Sequence, residues 1–431
     1  MGRHDVLLAR MPEELAGHAR SVVDWLVGDF RDFGEVGQAE LQRMLWIDLP
    51  NRWPVSAEEW RRVVEAAGQV MELAGRPSLA VIARSEETAE VLEAYARDRS
   101  EGLLAANAAF GRTGTSPPDT DLLIWARHVT AAEANAYDEL QRVLEAAIVA
   151  GDYAPGAPGW RRRQRALTER WLTSPSRYFD GWRPIDVIHT QRREAWMMGV
   201  SPEREQRLAP VVPFLRDPVT VPEGQPATLV WLLNRIGDGV RLTQRGYLPP
   251  EVAREADERF RWSPTPRPAN REVDLPELME LHGIVRGQRL VTKRRDTLRL
   301  SARGRSVLLE PVRLWEAAAL AWLGEHPYEV AVAEIAAAVL VREPATSAEL
   351  AAAAHDVVAP DFRTRDDAPV PHSATEGAAW SFVRRGFTLG FVADRPPGGR
   401  YALNALGRPA ALTALRLRAH SPHEPRWRDC D

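Results

Sequence analysis

The chain of 431 residues has very little cysteine and lysine, two residue types that often carry chemistry. Its only cysteine, Cys430, rules out an intrachain disulfide and indicates a reducing, cytoplasmic setting. Lys293 is the only lysine among 56 basic residues, and all the others are arginines. Because alanine, glycine and proline are also abundant, this bias indicates a G+C-rich coding sequence. Only a clustering of arginines is therefore informative about function.

Long apolar runs and catalytic motifs are also missing. No apolar run approaches the roughly 18 residues that cross a bilayer, so we expect no contact with membranes. Residues 1–17 contain a short apolar patch followed by two glutamates, which is not a secretory signal. Walker, GxSxG and HExxH motifs are absent, and we expect a protein that is not an enzyme and uses no cofactor. His420, His423 and Cys430 offer donor atoms, but they lie in a polar end predicted to be flexible, and we expect no metal site.

Length and periodicity predict a mainly α, multi-domain protein. Ser56 followed by Glu59 is a capping-box pattern that starts an amphipathic helix. Residues 1–200 contain no sustained period-2 alternation, and we expect almost no β-structure there. The predicted segments are an N-terminal helical domain (1–111), a second helical domain (120–200), a Pro-rich extended connector (201–226), a winged-helix-like module (227–326), a second such module (327–419) and a flexible tail (420–431).

The strongest local feature is the segment Arg286–Arg305, which contains eight basic residues and one acid, Asp296. The whole chain, by contrast, has a formal net charge of −4. An apolar helical stretch precedes the segment and is predicted to end at Gly283–Val285. Short apolar alternations on either side of the basic tip indicate a β-hairpin, and Ser301 begins another helical pattern. This layout is typical of a winged helix, whose wing contacts a nucleic-acid backbone or a partner protein.

An internal repeat supports two such modules in tandem. Residues 298–309 align with 401–412 without a gap, and the polar residue of the shared unit is predicted to cap the following helix. If Gly283–Val285 and Gly390–Val392 each start a hairpin, the hairpins differ in length by four residues at the tip. We therefore predict two winged-helix-like modules with short antiparallel hairpins. The pattern Leu-[Ser/Thr/Asn]-x-x-Gly occurs at Leu242–Gly246, Leu300–Gly304 and Leu403–Gly407.

The first of these modules resembles the C-terminal region of uncharacterised actinobacterial proteins, some of which carry a plasmid pRiA4b ORF-3-like domain. The likeness covers about 90 residues, and the ORF-3-like domain itself is not visible in this chain. The resemblance implies a fold more than an activity. The matching residues are Gly237–Gly239, Leu242–Pro250, Gly283–Arg286, Leu298–Arg305 and Leu314–Trp315.

A second resemblance covers residues 171–188. This segment is similar to the toxin-binding module of ParS-, MbcA- and Xre-type antitoxins, in which a Pro-Gly-Pro corner joins two helices. Trp182 departs from that pattern, and a purely structural helix corner is the alternative interpretation. The matching residues are Trp171, Leu172, Pro175, Gly181, Pro184, Ile185, Asp186 and Ile188. As residues that contact a partner protein, the resemblance implies Trp171, Pro175, Gly181, Pro184 and Asp186.

The basic hairpins are candidates for contact with double-stranded DNA. Neutralising phosphates releases counterions and supplies affinity for any base sequence. Arginine also forms bidentate hydrogen bonds with phosphate. The candidate residues are Arg286, Arg289, Lys293, Arg294, Arg295 and Arg299 in the first hairpin, and Arg395 and Arg400 in the second.

The helix before the first hairpin argues against simple DNA reading. Its region, 271–282, contains four acids that would be repelled by phosphates in a major groove. Two functions therefore stay open: a regulator whose wing contacts the DNA backbone, and an interaction protein that binds an acidic protein partner or uses the antitoxin-like corner. Homo-oligomerisation is compatible with both. The four acids are Glu272, Asp274, Glu277 and Glu280.

Overall fold

The computed structural model describes residues 4–28, 31–53, 55–126, 130–263, 269–393, 399–422 and 428–430. Helices dominate, and the strands are few and short, so the predicted mainly α fold class is confirmed. The chain forms two compact units. Unit 1 covers the described residues from 4 to 125 and from 130 to 188, and unit 2 consists of Ala126 and the described residues from 189 onwards. None of the helices described is long and apolar enough to cross a membrane.

The N-terminal half is built from helices that often begin at a polar cap. Ser56, Ser85 and Asp98 each accept a hydrogen bond from the first helical turn that follows, as the pattern at Ser56 predicts. The described part of residues 1–200 contains no strand, which confirms the expected lack of β-structure. The helices are α1 (Asp5–Leu8), α2 (Ala16–Leu26), α3 (Gln38–Arg43), α4 (Leu49–Arg52), α5 (Ala57–Leu73), α6 (Pro77–Ala83), α7 (Glu86–Arg97), α8 (Arg99–Thr113), α9 (Ala131–Ala150), α10 (Trp160–Thr173) and α11 (Pro184–Met197).

Unit 1 has one large apolar core and two small ones. In the large core, Trp46 is fully buried and donates from Nε1 to Thr88 Oγ1 at 2.9 Å. The small cores lie around Leu172 and Leu144. The α9–α11 region is therefore held by fewer apolar side chains than the region before it.

Unit 2 has a single apolar core that extends from Trp196 to Ala419. A three-stranded antiparallel sheet has the order β1-β3-β2, and β4 pairs with β5 in parallel. The helices are α12 (Glu203–Leu208), α13 (Ala227–Ile236), α14 (Pro250–Phe260), α15 (Pro276–Gly287), α16 (Ala302–Leu309), α17 (Pro311–Leu323), α18 (Pro327–Arg342), α19 (Ser347–Val358), α20 (His372–Thr388) and α21 (Gly407–His420). The strands are β1 (Val240–Arg241), β2 (Val291–Arg294), β3 (Thr297–Leu300), β4 (Phe362–Thr364) and β5 (Arg428–Cys430).

The segment 201–226 is not the extended connector that its prolines suggest. Its first half forms α12 and a 3₁₀ helix at Ala209–Leu215, and Leu208, Val211 and Leu215 are fully buried in the core. Pro210 is compatible with this, because a proline near the start of a helix loses no hydrogen bond, whereas Pro213 lies inside the 3₁₀ helix. Similarly, His420 does not belong to a flexible tail, since it is buried and ends α21.

The two predicted modules share one order of elements. The helices α13, α14, α15 and α16 have α18, α19, α20 and α21 as their counterparts, with the hairpin between the last two of each set. In the first hairpin Val291 pairs with Leu300. On the same strand as Leu300, and two positions before it, Leu298 pairs with Val240 of β1. In the second hairpin Val392 pairs with Leu403, and Tyr401, two positions before Leu403, pairs with Ala345. The described residues of both modules thus combine helices with antiparallel pairing, and their assignment as two winged-helix-like modules stays a prediction.

The predicted start was wrong for the first hairpin but not for the second, whose first paired residue, Val392, lies within the predicted Gly390–Val392. Gly283–Val285 lies inside α15, which continues to Gly287. Leu290 and Phe391 are the residues that correspond in the two hairpins, because each directly precedes the first paired residue of its hairpin. Counted from these pairs, the second hairpin is longer than the first by two residues, instead of shorter by four.

The shared Leu-[Ser/Asn]-x-x-Gly unit has one structural purpose in both modules. Ser301 Oγ accepts from the N–H of Gly304, and Asn404 Oδ1 accepts from that of Gly407. A Cβ on Gly304 would lie 2.0 Å from the carbonyl oxygen of Leu290, and one on Gly407 would lie 1.9 Å from that of Phe391. Only glycine therefore allows the helix to start against the first residue of the hairpin.

The third occurrence of the pattern, Leu242–Gly246, is different. Gly246 has φ of 84° and closes a turn with Thr243, and no helix begins there. The predicted helix cap is wrong for this copy, because its glycine is needed for a left-handed backbone conformation.

Candidate nucleic-acid interface

The first hairpin is a short ladder with a two-residue turn. Lys293 lies opposite Leu298 and Arg294 lies opposite Thr297, so the turn consists of Arg295 and Asp296. Arg295 has φ of 56°, an uncommon conformation for a residue with a side chain. The turn thus places three consecutive basic residues at the exposed end of the ladder.

The basic side chains of this segment are exposed and have no partners in the described part of the chain. None of them forms a hydrogen bond or an ion pair there. The single acid, Asp296, is bound by Arg241 at 2.7 Å, and this hydrogen bond lowers the pKa of Asp296. Asp296 therefore stays ionised, and its charge is balanced by Arg241, which lies outside the cluster of basic residues. The exposed basic residues, called the basic hairpin below, are Arg286, Arg289, Lys293, Arg294, Arg295, Arg299, Arg303 and Arg305.

Strand alternation divides these charges between the two faces of the sheet. Arg294 and Arg299 share one face with the exposed Thr292. Lys293 lies on the opposite face, in line with the buried Val291, and is itself exposed. Positive charge therefore surrounds the tip.

The acids before the hairpin do not oppose this interpretation, because most of them have internal partners. Glu272 lies in a 3₁₀ turn before α15 and is buried. Its Oε1 is 2.7 Å from His282 Nδ1, and its Oε2 accepts from the N–H of Leu248. Asp274 is paired with Arg271, whose hydrogen bond lowers the pKa of Asp274.

Glu280 is also neutralised, by helix α20 of the second module. It accepts a hydrogen bond from Arg384, and Arg385 lies 3.9 Å from its other oxygen. Glu277, the fourth acid, is half-buried. The exposed face of α15 consists instead of Pro276, Met279, Gly283, Arg286 and Gly287. This face carries no carboxylate.

The second hairpin differs from the first. Arg400 is paired with Glu349 at 2.8 Å and donates to the carbonyl oxygen of Pro344 at 2.7 Å. The N–H of Thr346, together with Arg400, lowers the pKa of Glu349. Arg400 therefore joins the hairpin to the start of α19 and is not a free phosphate ligand. The other predicted residue, Arg395, lies outside the described residues.

The antitoxin-like corner is a tight loop between α10 and α11. Trp171 is half-buried and packs edge-on against Phe179, and Pro184 is buried where it begins α11. Gly181 has φ of 82°, and its N–H donates to the carbonyl oxygen of Ser176 at 3.0 Å. These three predicted partner-binding residues thus have structural roles in the loop.

Of the remaining predicted residues in this corner, only Pro175 is exposed. Asp186 is paired with Arg183. The loop instead exposes two aromatic side chains that were not predicted to bind, Tyr178 at 53% and Trp182 at 67%. The sequence signal for Trp182 was its departure from the antitoxin pattern.

In the described part of the chain, no group of three His, Cys, Asp or Glu side chains could hold a metal ion. Comparison with models of protein families, with characterised proteins and with solved structures finds no significant match. The two resemblances noted in the sequence therefore stay predictions. A function has to be argued from the charges and exposed surfaces described above.

Proposed function

We propose that this chain is a non-enzymatic, cytoplasmic regulatory protein that contacts the backbone of double-stranded DNA through the basic hairpin. The observation that carries the proposal is the group of eight exposed cations with no partner in the described residues. In most proteins surface arginines alternate with acids, whereas here the nearest acid in sequence, Asp296, is bound by Arg241. Unneutralised charge of one sign attracts a polyanion over a distance of about 10 Å at moderate salt.

The order of elements supports a winged-helix assignment for this module. A helix, a short strand, two helices and a hairpin follow one another, and β1 pairs with the second strand of the hairpin. In such a module the helix before the hairpin faces the DNA, and the wing contacts the backbone beside it. The absence of carboxylates from the exposed face of α15 fits this arrangement.

The exposed face of α15 also indicates that the contact with DNA does not depend on the base sequence. Bases are read by side chains such as Asn, Gln and Arg that form paired hydrogen bonds to their edges. On the exposed face of α15 only Arg286 has this capacity, and the other members are Pro, Met and Gly. We therefore assign the affinity to phosphate contacts, which position the protein but carry no sequence information.

A charge-matched pair of variants tests this proposal. Changing Lys293, Arg294 and Arg295 together to Ala removes three cations from the tip. Changing Arg161, Arg162 and Arg163 to Ala removes three exposed arginines of α10, in unit 1. In a fluorescence-anisotropy titration at about 50 mM salt, the hairpin variant should bind duplexes at least about tenfold more weakly. The loss should be the same for duplexes of unrelated sequence.

The control variant has the same net charge as the hairpin variant, and it should bind duplexes nearly as strongly as the wild type does. Equal losses in both variants would mean that net charge, and not the hairpin, attracts DNA. Wild-type affinity in the hairpin variant would contradict the proposal.

A second candidate, a protein-binding role for unit 1, is favoured by the exposed aromatics of the corner. Tryptophan and tyrosine are enriched among the residues that dominate binding energy at protein interfaces. Here Trp182 is exposed while Trp171 is used in packing. A partner that co-purifies with the wild type and is lost with Trp182→Ala and Tyr178→Ala would support this role. A partner lost only with the hairpin variant would assign protein binding to the hairpin.

A further inference from the structure

Five basic side chains of unit 2 come together on the second half of helix α11, from residue 189 onwards, and on helix α21. Helix α11 contributes His189, Arg192 and Arg193, and helix α21 contributes Arg416 and His420. The imidazole rings of His189 and His420 are stacked, with centroids 4.0 Å apart and planes 6° apart. We call these five residues the histidine–arginine cluster.

Two of the arginines hold His420 in place. Arg192 Nη1 donates to the carbonyl oxygen of His420 at 2.6 Å, and Arg193 Nη1 lies 2.9 Å from His420 Nε2. A guanidinium can only donate, so Nε2 accepts and the His420 ring is neutral, with its proton on Nδ1. The positive charge of the cluster therefore resides on its arginines.

Burial and the neighbouring guanidinium groups keep both rings neutral. They lower the pKa of His189 to about 3 and that of His420 to about 2. Two carboxylates face Arg416, those of Glu316 on α17 and Asp217 after the 3₁₀ helix, and neither is within ion-pair distance of it. Burial also raises the pKa of Glu316, which weakens it as a counter-charge.

Arg416 and His189 are the members without partners. Neither side chain makes a hydrogen bond or an ion pair with a described residue. Arg416 Nε is shut off from solvent, whereas the terminal Nη atoms and the ring nitrogens of His189 are not among the enclosed polar atoms. Both side chains are half-buried. A partly desolvated charge without a partner is costly, and an anion that accepts from it removes that cost.

We propose that the histidine–arginine cluster binds an oxyanion of the phosphate class. One oxygen accepts from the Nη groups of Arg416 and another from the N–H of His189, while Arg192 and Arg193 contribute favourable charge. Several acceptor oxygens and a double negative charge suit guanidinium groups better than a single carboxylate does. The phosphate can belong to a nucleic-acid backbone or to a small phosphorylated molecule.

Sulfate is a suitable probe, since its charge is constant across neutral pH. In protein labelled with ¹⁵N-histidine, sulfate added at constant ionic strength should shift the His189 and His420 resonances and saturate at about 10 mM or below. Arg416→Gln should weaken this binding at least about tenfold. Arg342→Gln, an exposed arginine at the end of α18, is the matched control and should leave it unchanged.

If Arg416→Gln does not fold, His189→Gln is the second variant, because its side chain is only half-buried. For that variant the reporters are the His420 resonance and the heat of sulfate binding. No saturable shift in wild-type protein would overturn the proposal, as would unchanged sulfate binding in a folded Arg416→Gln or His189→Gln protein.

The source of the phosphate is decided by repeating the titration with inorganic phosphate and with a short DNA duplex. Saturation by phosphate alone assigns a small molecule to the cluster. Saturation by the duplex, together with weaker duplex binding in Arg416→Gln, assigns a backbone phosphate. Binding at the cluster can be distinguished from binding at the basic hairpin, because the triple alanine variant of the hairpin leaves the cluster intact.

Discussion

At the residue scale, Glu334 is the clearest example of a charge held inside the core. It is 2% exposed and accepts from Arg204 of α12 at 2.7 Å and from Arg418 of α21 at 3.0 Å. Arg204 is fully buried and also donates to the carbonyl oxygen of Trp196. This interaction joins α12, which lies in the Pro-rich segment, to α18 and α21.

We expect Glu334→Ala to reduce the free energy of unfolding by about 3–5 kcal/mol, because it removes the buried carboxylate that accepts hydrogen bonds from Arg204 and Arg418. Urea denaturation followed by circular dichroism measures this. Glu205→Ala, an exposed carboxylate on the same short helix, should change stability by less than about 0.5 kcal/mol. Similar midpoints for the two variants would show that the buried pair does not hold α12.

His189 and His420 predict how stability changes with pH. Both pKa values are lower in the folded protein than the usual 6.5, at about 3 and about 2. Between pH 6.5 and 3 the unfolded chain therefore binds more protons, and stability falls as the pH falls through this range. Each ring contributes up to about 1.4 kcal/mol per pH unit.

His189→Gln should flatten this dependence without removing it, since His420 still titrates. Thermal unfolding of the wild type and the variant at a series of pH values from neutral to about 4 makes the comparison. Parallel curves would mean that other groups cause the acid sensitivity.

At the scale of elements, each hairpin module contains a glycine at which a side chain would clash with the backbone. Gly304→Ala would place a Cβ 2.0 Å from the Leu290 carbonyl oxygen, a backbone atom that cannot move alone. We expect a loss of about 3 kcal/mol or more in the free energy of unfolding.

Gly283→Ala is the matched control in α15, where an added Cβ meets no atom within 4 Å. Alanine should stabilise this helix by about 0.5–1 kcal/mol. Chemical denaturation of both variants tests the pair, and a tolerated Gly304→Ala would show that the helix start can shift away from the hairpin.

The two hairpins should differ in function although they share a register. Because Arg400 is bound to Glu349 and Pro344, Arg400→Ala should leave duplex affinity within about twofold of wild type. The same titration with Arg294→Ala should show weaker binding. A larger effect at Arg400 would mean that its ion pair opens to bind DNA.

The hairpin and its caps could be predicted from sequence because their signals are local. Alternation around the basic tip predicted the strands, and the Ser301 and Asn404 units predicted the caps. The end of α15 could not be predicted, since Gly283 and Gly287 resemble helix breakers. The side chain of Glu325, from a distant part of the chain, lies against Gly287.

At the scale of the whole molecule, one unit holds two related modules with different surfaces. Helix α15 contacts its counterpart α20, and Arg384 of α20 neutralises Glu280 of α15. The sequence predicted four acids opposed to DNA, but the partner of Glu280 could not be seen, because Glu280 and Arg384 are 104 positions apart. The location of the basic surface could be predicted, whereas the lack of carboxylates on the exposed face of α15 became visible only in the fold.

The measurement that tests the central claim most directly is the salt dependence of duplex binding. For wild-type protein, log K should fall linearly with log salt, by about 0.9 for each phosphate contact. In the Lys293, Arg294 and Arg295 triple alanine variant the slope should be smaller by up to about three units, and the Arg161–Arg163 control should keep the wild-type slope. Wild-type binding that is absent at low salt or insensitive to salt would contradict the account, as would equal slopes for the wild type and the hairpin variant.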